Sequence, residues 1–221
     1  MSCNGGSKGE QKMGNILAFG DSNTWGLIPG SFPYRRYSEK VRWTGVLQKK
    51  VRNMRVLEEG LCGRTTVFED KYRSGRKGVN TLKKILAGKS SFNSVVLMLG
   101  TNDCKKDYAA SPTDIGRGIE ECIDQLEEYV SPEKVLLVSP IYLGDEVWRP
   151  EKDPEFDLAS VNTSRQLKGV YEEIAKRRGV NFLAASDYVS ADEKDDEHLN
   201  EEGHRIFADV IYDKLREMKV V

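Results

Sequence analysis

A serine, a histidine and an aspartate in this chain are spaced so that together they could transfer an acyl group. Ser22 stands in Gly20-Asp21-Ser22-Asn23-Thr24-Trp25-Gly26, directly after the apolar run Ile16-Leu17-Ala18-Phe19. Such a run reads as a buried strand, which puts the serine at a strand's carboxyl end, where open α/β sheets bind ligands; the flanking glycines permit a tight turn. A serine hydroxyl attacks a carbonyl only when a base takes its proton. The chain has two histidines, His198 and His204. His198 closes Asp195-Asp196-Glu197-His198, so one short loop could deliver the base and an acid that orients it. His204, beside Gly203 at the start of the last helical pattern, reads as a surface or cap residue.

Acyl transfer from an ester also needs donors aimed at the oxygen that becomes negative in the tetrahedral intermediate. The backbone amide of Ser22 is one candidate for this oxyanion hole. Gly60, in Glu58-Glu59-Gly60-Leu61, and Asn102, in Leu99-Gly100-Thr101-Asn102-Asp103, follow the second and third strand patterns and are the others. Glycine lets a backbone N–H approach substrate without a side chain in the way, and asparagine offers an amide donor that does not titrate. Trp25, just after the nucleophile turn, and Trp148 are candidate substrate-binding walls. This chemistry requires no metal and no cofactor. Asp21 reads as a turn former and Asp103 as a partner for amides of its own loop. Lys71, Arg73, Arg76 and Lys77 read as a solvated charge cluster, with an acidic substrate or a subunit as the other uses of such a patch.

Five apolar runs must carry these residues: 15–19, 54–58, 94–99, 134–138 and 180–183, the second being the weakest. Helical patterns separate them at 43–51, 79–87, from Pro112 onward, at about 156–178 and at 201–218. Ser111-Pro112 opens the third of these with a capping serine and a proline suited to the first turn, and its inward face includes Cys122. Strict alternation of strand and helix predicts an α/β fold: a three-layer, doubly wound, flavodoxin-like sandwich around a five-stranded parallel sheet. Two long loops, 27–40 and 140–155, leave carboxyl ends of strands on the same edge as Ser22, and their aromatics could wall the site.

Composition narrows the partners. A chain of 221 residues suits one domain, read here as 14–221 behind a polar, glycine-rich tether at 1–13. The net charge is −1 and no basic stretch is interleaved with aromatics, which argues against nucleic acid. No apolar run approaches the roughly 20 residues of a membrane-spanning helix. Cys3, Cys62, Cys104 and Cys122 show no C-x-x-C spacing and read as free thiols rather than zinc ligands. The segment from Ser2 to Glu10 is similar to the mature start of a bacterial lipoprotein, in which Cys3 would carry the lipid anchor. Two locations therefore stay open: the bacterial cell envelope or periplasm as a lipoprotein, or the cytoplasm with a disordered end.

Gly20-Asp21-Ser22, Gly60, Gly100-Thr101-Asn102-Asp103 and Asp195-x-x-His198 resemble, in order, the four blocks of the SGNH (GDSL-type) hydrolases. Each block alone is a common loop feature; all four in order, at the predicted strand ends and before the last helix, are specific. Phe19-Gly20-Asp21-Ser22-x-Thr24-Trp25-Gly26, Arg42-Trp43-Thr44-Gly45 and Gly60-Leu61-x-x-Arg64-Thr65-Thr66 look like the arylesterase/acyltransferase branch. The resemblance implies the SGNH-hydrolase fold, a Ser22–His198–Asp195 triad, and hydrolysis of short-chain acyl esters through an acyl-enzyme. It also implies transfer to other acceptors in some members and multimers whose interfaces narrow the pocket. The family includes carbohydrate O-acetylesterases, so small-molecule and glycan esters are both candidate substrates; a non-catalytic binding module on the same scaffold is the remaining alternative. Asp196 competes as the triad acid, but the family spacing favours Asp195. Two departures stand out. Asn23 replaces a frequent leucine, altering a turn position only, and Asp196-Glu197 replace a frequent glycine and apolar residue, placing negative charge beside His198 that should raise its pKa.

Overall fold

The computed structural model describes residues 13–88 and 91–221. Cys3 and all of the expected tether except Met13 lie outside the described residues. Five strands form one sheet: β1 (Gly14–Gly20), β2 (Met54–Gly60), β3 (Ser94–Met98), β4 (Val135–Ser139) and β5 (Asn181–Ala184). All pairings are parallel and the order is β2-β1-β3-β4-β5, the flavodoxin-like arrangement. The chain reverses direction across the sheet between β1 and β3, and such a switch point opens a crevice at the carboxyl ends. Gly20 is in register with Gly60 of β2 and Met98 of β3, so the segments that follow all three strands emerge together.

Alternating side chains send each strand's apolar residues to two separate cores. Leu17, Phe19, Leu97 and Leu137 face one layer, made by α3 (Gly78–Ala87), α4 (Pro112–Glu127) and α5 (Leu158–Arg178). Ile16, Ala18, Val96 and Leu136 face the other, made by α2 (Trp43–Lys50) and α6 (Glu201–Glu217). There Trp43 meets Phe207 edge-on, ring centroids 5.2 Å apart. Both layers are closed by large, fully buried side chains, and the helix stripes needed for this are the ones the 3.6-residue spacing marks.

Helix α4 starts where its sequence says it should: Ser111 Oγ accepts from Asp114 N–H at 3.2 Å, and Asp114 returns the bond to Ser111 N–H at 3.1 Å. Cys122 lies fully buried on its inner face, and among the described residues Cys62, Cys104 and Cys122 are free thiols. β2 is the weakest strand by pattern because it is an edge strand; Arg55 is exposed while Val56 and Leu57 are buried. No helix among the described residues is long and apolar enough to cross a membrane.

Candidate active site

β1 delivers the nucleophile candidate. Asp21 caps a one-turn helix, α1 (Ser22–Trp25), its carboxylate accepting from Asn23 N–H at 3.0 Å, and Gly26 ends the turn at φ 88°. Ser22 therefore occupies the first helical position above the strand end and is 4% exposed. The turn rests on Gly60: a Cβ there would lie 2.2 Å from Trp25 N, so the end of β2 has to be glycine for the nucleophile turn to pack. That steric demand comes in addition to the open backbone amide expected from the sequence.

The loop ahead of α6 supplies the candidate base. His198 Nε2 lies 2.8 Å from Ser22 Oγ, and His198 Nδ1 lies 2.9 Å from Asp195 Oδ2. Asp195 also accepts backbone N–H groups from Gly30 at 2.8 Å, Glu197 at 3.1 Å and His198 at 3.0 Å. Burial opposes its ionisation, but the bonds and charge of His198 and these amides outweigh burial and bring its pKa down to about 2. An ionised Asp195 must accept, so Nδ1 carries the hydrogen and Nε2 of the neutral ring is free to take the Ser22 proton.

The acids flanking the pair behave differently from the sequence expectation. Asp196 turns away, at φ 57°, and accepts from Lys152 Nζ at 2.8 Å and Glu146 N–H at 3.0 Å. Only Glu197 adds charge beside the base, with Oε1 3.7 Å from His198 Nε2. Burial pulls the imidazole pKa down; Glu197, then Asp195 and Asp21, more than offset it, so His198 is held above its ordinary value. Asn23 also does more than occupy a turn. Its Oδ1 accepts from Leu199 N–H at 2.9 Å and its Nδ2 donates to the Glu197 carbonyl at 3.2 Å, clamping the serine turn to the histidine loop.

Asn102 opens a short 3₁₀ turn after β3 and is 2% exposed. One Nδ2 hydrogen goes to the Arg64 carbonyl at 3.2 Å, which leaves the second for another acceptor. Arg64 holds this corner: its guanidinium donates to the Gly20 carbonyl at 2.8 Å and covers the Phe19 ring at 4.2 Å. Burial lowers its pKa to about 10. Asp103 reaches beyond its own loop, contrary to the sequence reading, and accepts from Thr66 N–H at 2.8 Å. It thereby ties the segment after β2 to the segment after β3. The sequence signal for both residues is a polar side chain just past an apolar strand.

A cavity of about 470 Å³ opens beside His198, bordered among others by Leu27, Phe32, Tyr34, Arg73 and Glu197. Trp25 and Trp148 do not border it. Trp25 lies beneath the Arg36 guanidinium, 5.5 Å from the ring centroid, and Trp148 is 37% exposed with its indole N–H donating to the Asp145 carbonyl. In loop 140–155 it is Val147, fully buried, that points inward, so the neighbouring indole faces out. Arg73 is not merely solvated, since it pairs with Asp70 at 2.7 Å and Glu155 at 2.8 Å.

His204 requires correction too. It is fully buried, with Nδ1 accepting from Trp43 N–H at 3.3 Å and Tyr37 meeting its ring edge-on. Packing of α2 on α6 covers it, and burial lowers its pKa to about 3. Among the described residues no group of three or more His, Cys, Asp or Glu side chains could hold a metal ion.

The M. smegmatis aryl esterase superimposes on this chain with a TM-score of 0.85 and 32% identity, over 93% of this chain and 99% of that one. Est24, a carbohydrate acetylesterase from Sinorhizobium meliloti, gives a TM-score of 0.85 and 33% identity, again over 93% and 99%. No functionally curated protein matches the sequence. The model of the GDSL-like lipase/acylhydrolase family spans residues 18–206, from inside β1 into α6. The chain thus belongs to the GDSL-like lipase/acylhydrolase (SGNH) family and is a carboxylic ester hydrolase.

Proposed function

We propose that this protein is a serine esterase for short-chain acyl esters, working through Ser22, His198 and Asp195 and a covalent acyl-enzyme. The relay of 2.8 Å from Ser22 Oγ to His198 Nε2 and 2.9 Å from Nδ1 to Asp195 carries this reading. Ser22 Oγ attacks the acyl carbon as its proton passes to Nε2, and negative charge collects on the carbonyl oxygen. The backbone N–H groups of Ser22 and Gly60 and the spare Asn102 Nδ2 hydrogen are the donors for that oxygen. Collapse breaks the bond to the alcohol, which takes the proton from His198. Water then repeats the attack on the acyl-serine, giving its proton to Nε2, and the acid leaves as Ser22 recovers a proton. An alcohol in place of water gives acyl transfer by the same steps.

A carbohydrate O-acetylesterase is the second reading, favoured by the 33% identity to Est24 and by a cavity rim of Glu151, Lys152 and Lys194 suited to hydroxyl-rich esters. Incubation with p-nitrophenyl acetate followed by intact-mass measurement tests the mechanism. One added acetyl group on the parent and none on Ser22→Ala is expected; an adduct that persists in Ser22→Ala would refute the nucleophile. Acetate release from acetylated xylan, compared with p-nitrophenyl acetate, separates the two substrate classes.

A further inference from the structure

Glu197 is a buried carboxylate for which the proposed ester chemistry has no use. Its backbone is fully committed, N–H to Asp195 Oδ1 and C=O to Asn23 Nδ2, and its side chain borders the cavity with Leu27, Phe32 and Tyr34. The residue is 5% exposed, and among the described residues its carboxylate receives no hydrogen bond; its polar contact is His198 Nε2 at 3.7 Å. A buried carboxylate without a hydrogen-bond donor is costly to keep ionised, and a ligand cation would offset that cost.

The cations around the cavity are engaged elsewhere. Lys105 and Arg73 pair with Glu155, Arg73 also with Asp70, and Lys152 with Asp196. Lys194 remains, exposed at the rim, where Glu151 and Asp153 oppose it. Loop 27–40 brings Phe32 and Tyr34, 94% and 56% exposed, to the border of the same cavity as Glu197, and aromatic rings attract cations. The Tyr34 hydroxyl feels Glu197: burial first, then that carboxylate, raises its pKa.

We propose that Glu197, with the rings of Phe32 and Tyr34, forms a cation subsite that selects esters whose alcohol portion carries an ammonium group. This rests on the esterase reading above. The alcohol side follows from proximity, because His198 Nε2 must reach the departing oxygen and Glu197 Oε1 lies 3.7 Å from that nitrogen. A bound ammonium would also act on the base. The His198 pKa is raised by Glu197, then Asp195 and Asp21; burial raises that of Glu197 itself to about 7, with Asp153 and Asp195 adding to the rise and His198 and Lys105 opposing it. A cation on Glu197 offsets its field at the imidazole, so the ring loses its proton at lower pH when the correct substrate is present.

The test compares acetylcholine with its uncharged isostere, 3,3-dimethylbutyl acetate, in the parent and in Glu197→Gln. The parent should prefer the cation in kcat/KM by about tenfold or more, the effect of one charge at partly buried contact distance. The preference should fall towards unity in Glu197→Gln and shrink with added salt. The acidic limb of the kcat–pH profile, where His198 must lose its proton, should lie at lower pH for acetylcholine than for the isostere, in the parent only. Equal rates in the parent, or a preference that survives Glu197→Gln, would overturn the subsite while leaving the esterase intact. Should neither ester turn over, turnover of p-nitrophenyl acetate decides the esterase reading, and calorimetric binding of tetramethylammonium to the parent decides the subsite: binding weakened in Glu197→Gln supports it, and no binding refutes it.

Discussion

The carboxamide of Asn23 accepts from Leu199 N–H at 2.9 Å, across 176 residues of sequence, while its nitrogen holds the Glu197 carbonyl at 3.2 Å. The residue after Ser22 is thus bonded to the residues on both sides of His198. The Ser22–His198 distance depends on this clamp as well as on the two loops.

Asn23→Leu should therefore lower kcat by roughly 10- to 100-fold, because sub-ångström drift of the base from the nucleophile is costly. It also leaves the buried Leu199 amide unpaired, at about 1–3 kcal/mol of stability. Turnover of p-nitrophenyl acetate and a thermal melt check this. An unchanged kcat together with a lowered Tm would make the clamp purely structural.

Ser22→Ala and His198→Ala should lose activity equally, each on the order of 10⁴-fold or more, and the double variant should be no worse, because the two act as a unit. Native circular dichroism must accompany the loss. An additive double variant would show that His198 does not serve Ser22.

Asn102→Ala should lower kcat by roughly 10²–10³-fold with little change in KM, since a donor to the oxyanion gains strength only as charge develops. Its bond to the Arg64 carbonyl is lost as well, so the melt should fall by a few degrees. A change confined to KM would make Asn102 a ground-state binding group.

The frame of the site is legible in the sequence because buried parallel strands are short apolar runs, and a polar residue directly after such a run must lie at the carboxyl edge. Ser22 and Asn102 are readable on that basis, Gly60 as the glycine that closes the second run, and Asp195-x-x-His198 by its place before an amphipathic helix. Side-chain direction is not legible in this way. Asp196 and Glu197 are adjacent acids in the sequence, yet the positive φ of Asp196 sends one to Lys152 and leaves the other beside the base. Val147 and Trp148 are likewise neighbours, and burial of the first turns the second outward. Asn23 and Asp103 form their decisive bonds with Leu199 and Thr66, and no local pattern encodes contacts at that separation.

His204 misleads for the same reason and yields the last prediction. A histidine beside a glycine at a helix start resembles a cap, but α2 seals it, and its ring is neutral with a pKa lowered to about 3 against an unfolded value near 6.5. The unfolded chain binds a proton here that the folded chain refuses. The contribution of His204 to stability is therefore complete above about pH 6.5 and declines as pH falls towards 3. His204→Leu should flatten that decline, seen as a shallower fall of urea-unfolding free energy with acidification than in the parent. At pH 8 it should be less stable than the parent, because the Trp43 amide loses its acceptor. Asp195 also titrates on the acid side, from near 3.8 down to about 2, but identically in both proteins, so the difference between them isolates His204. Parallel acid slopes would mean that His204 takes up a proton in the folded state, and the buried neutral ring would have to be abandoned.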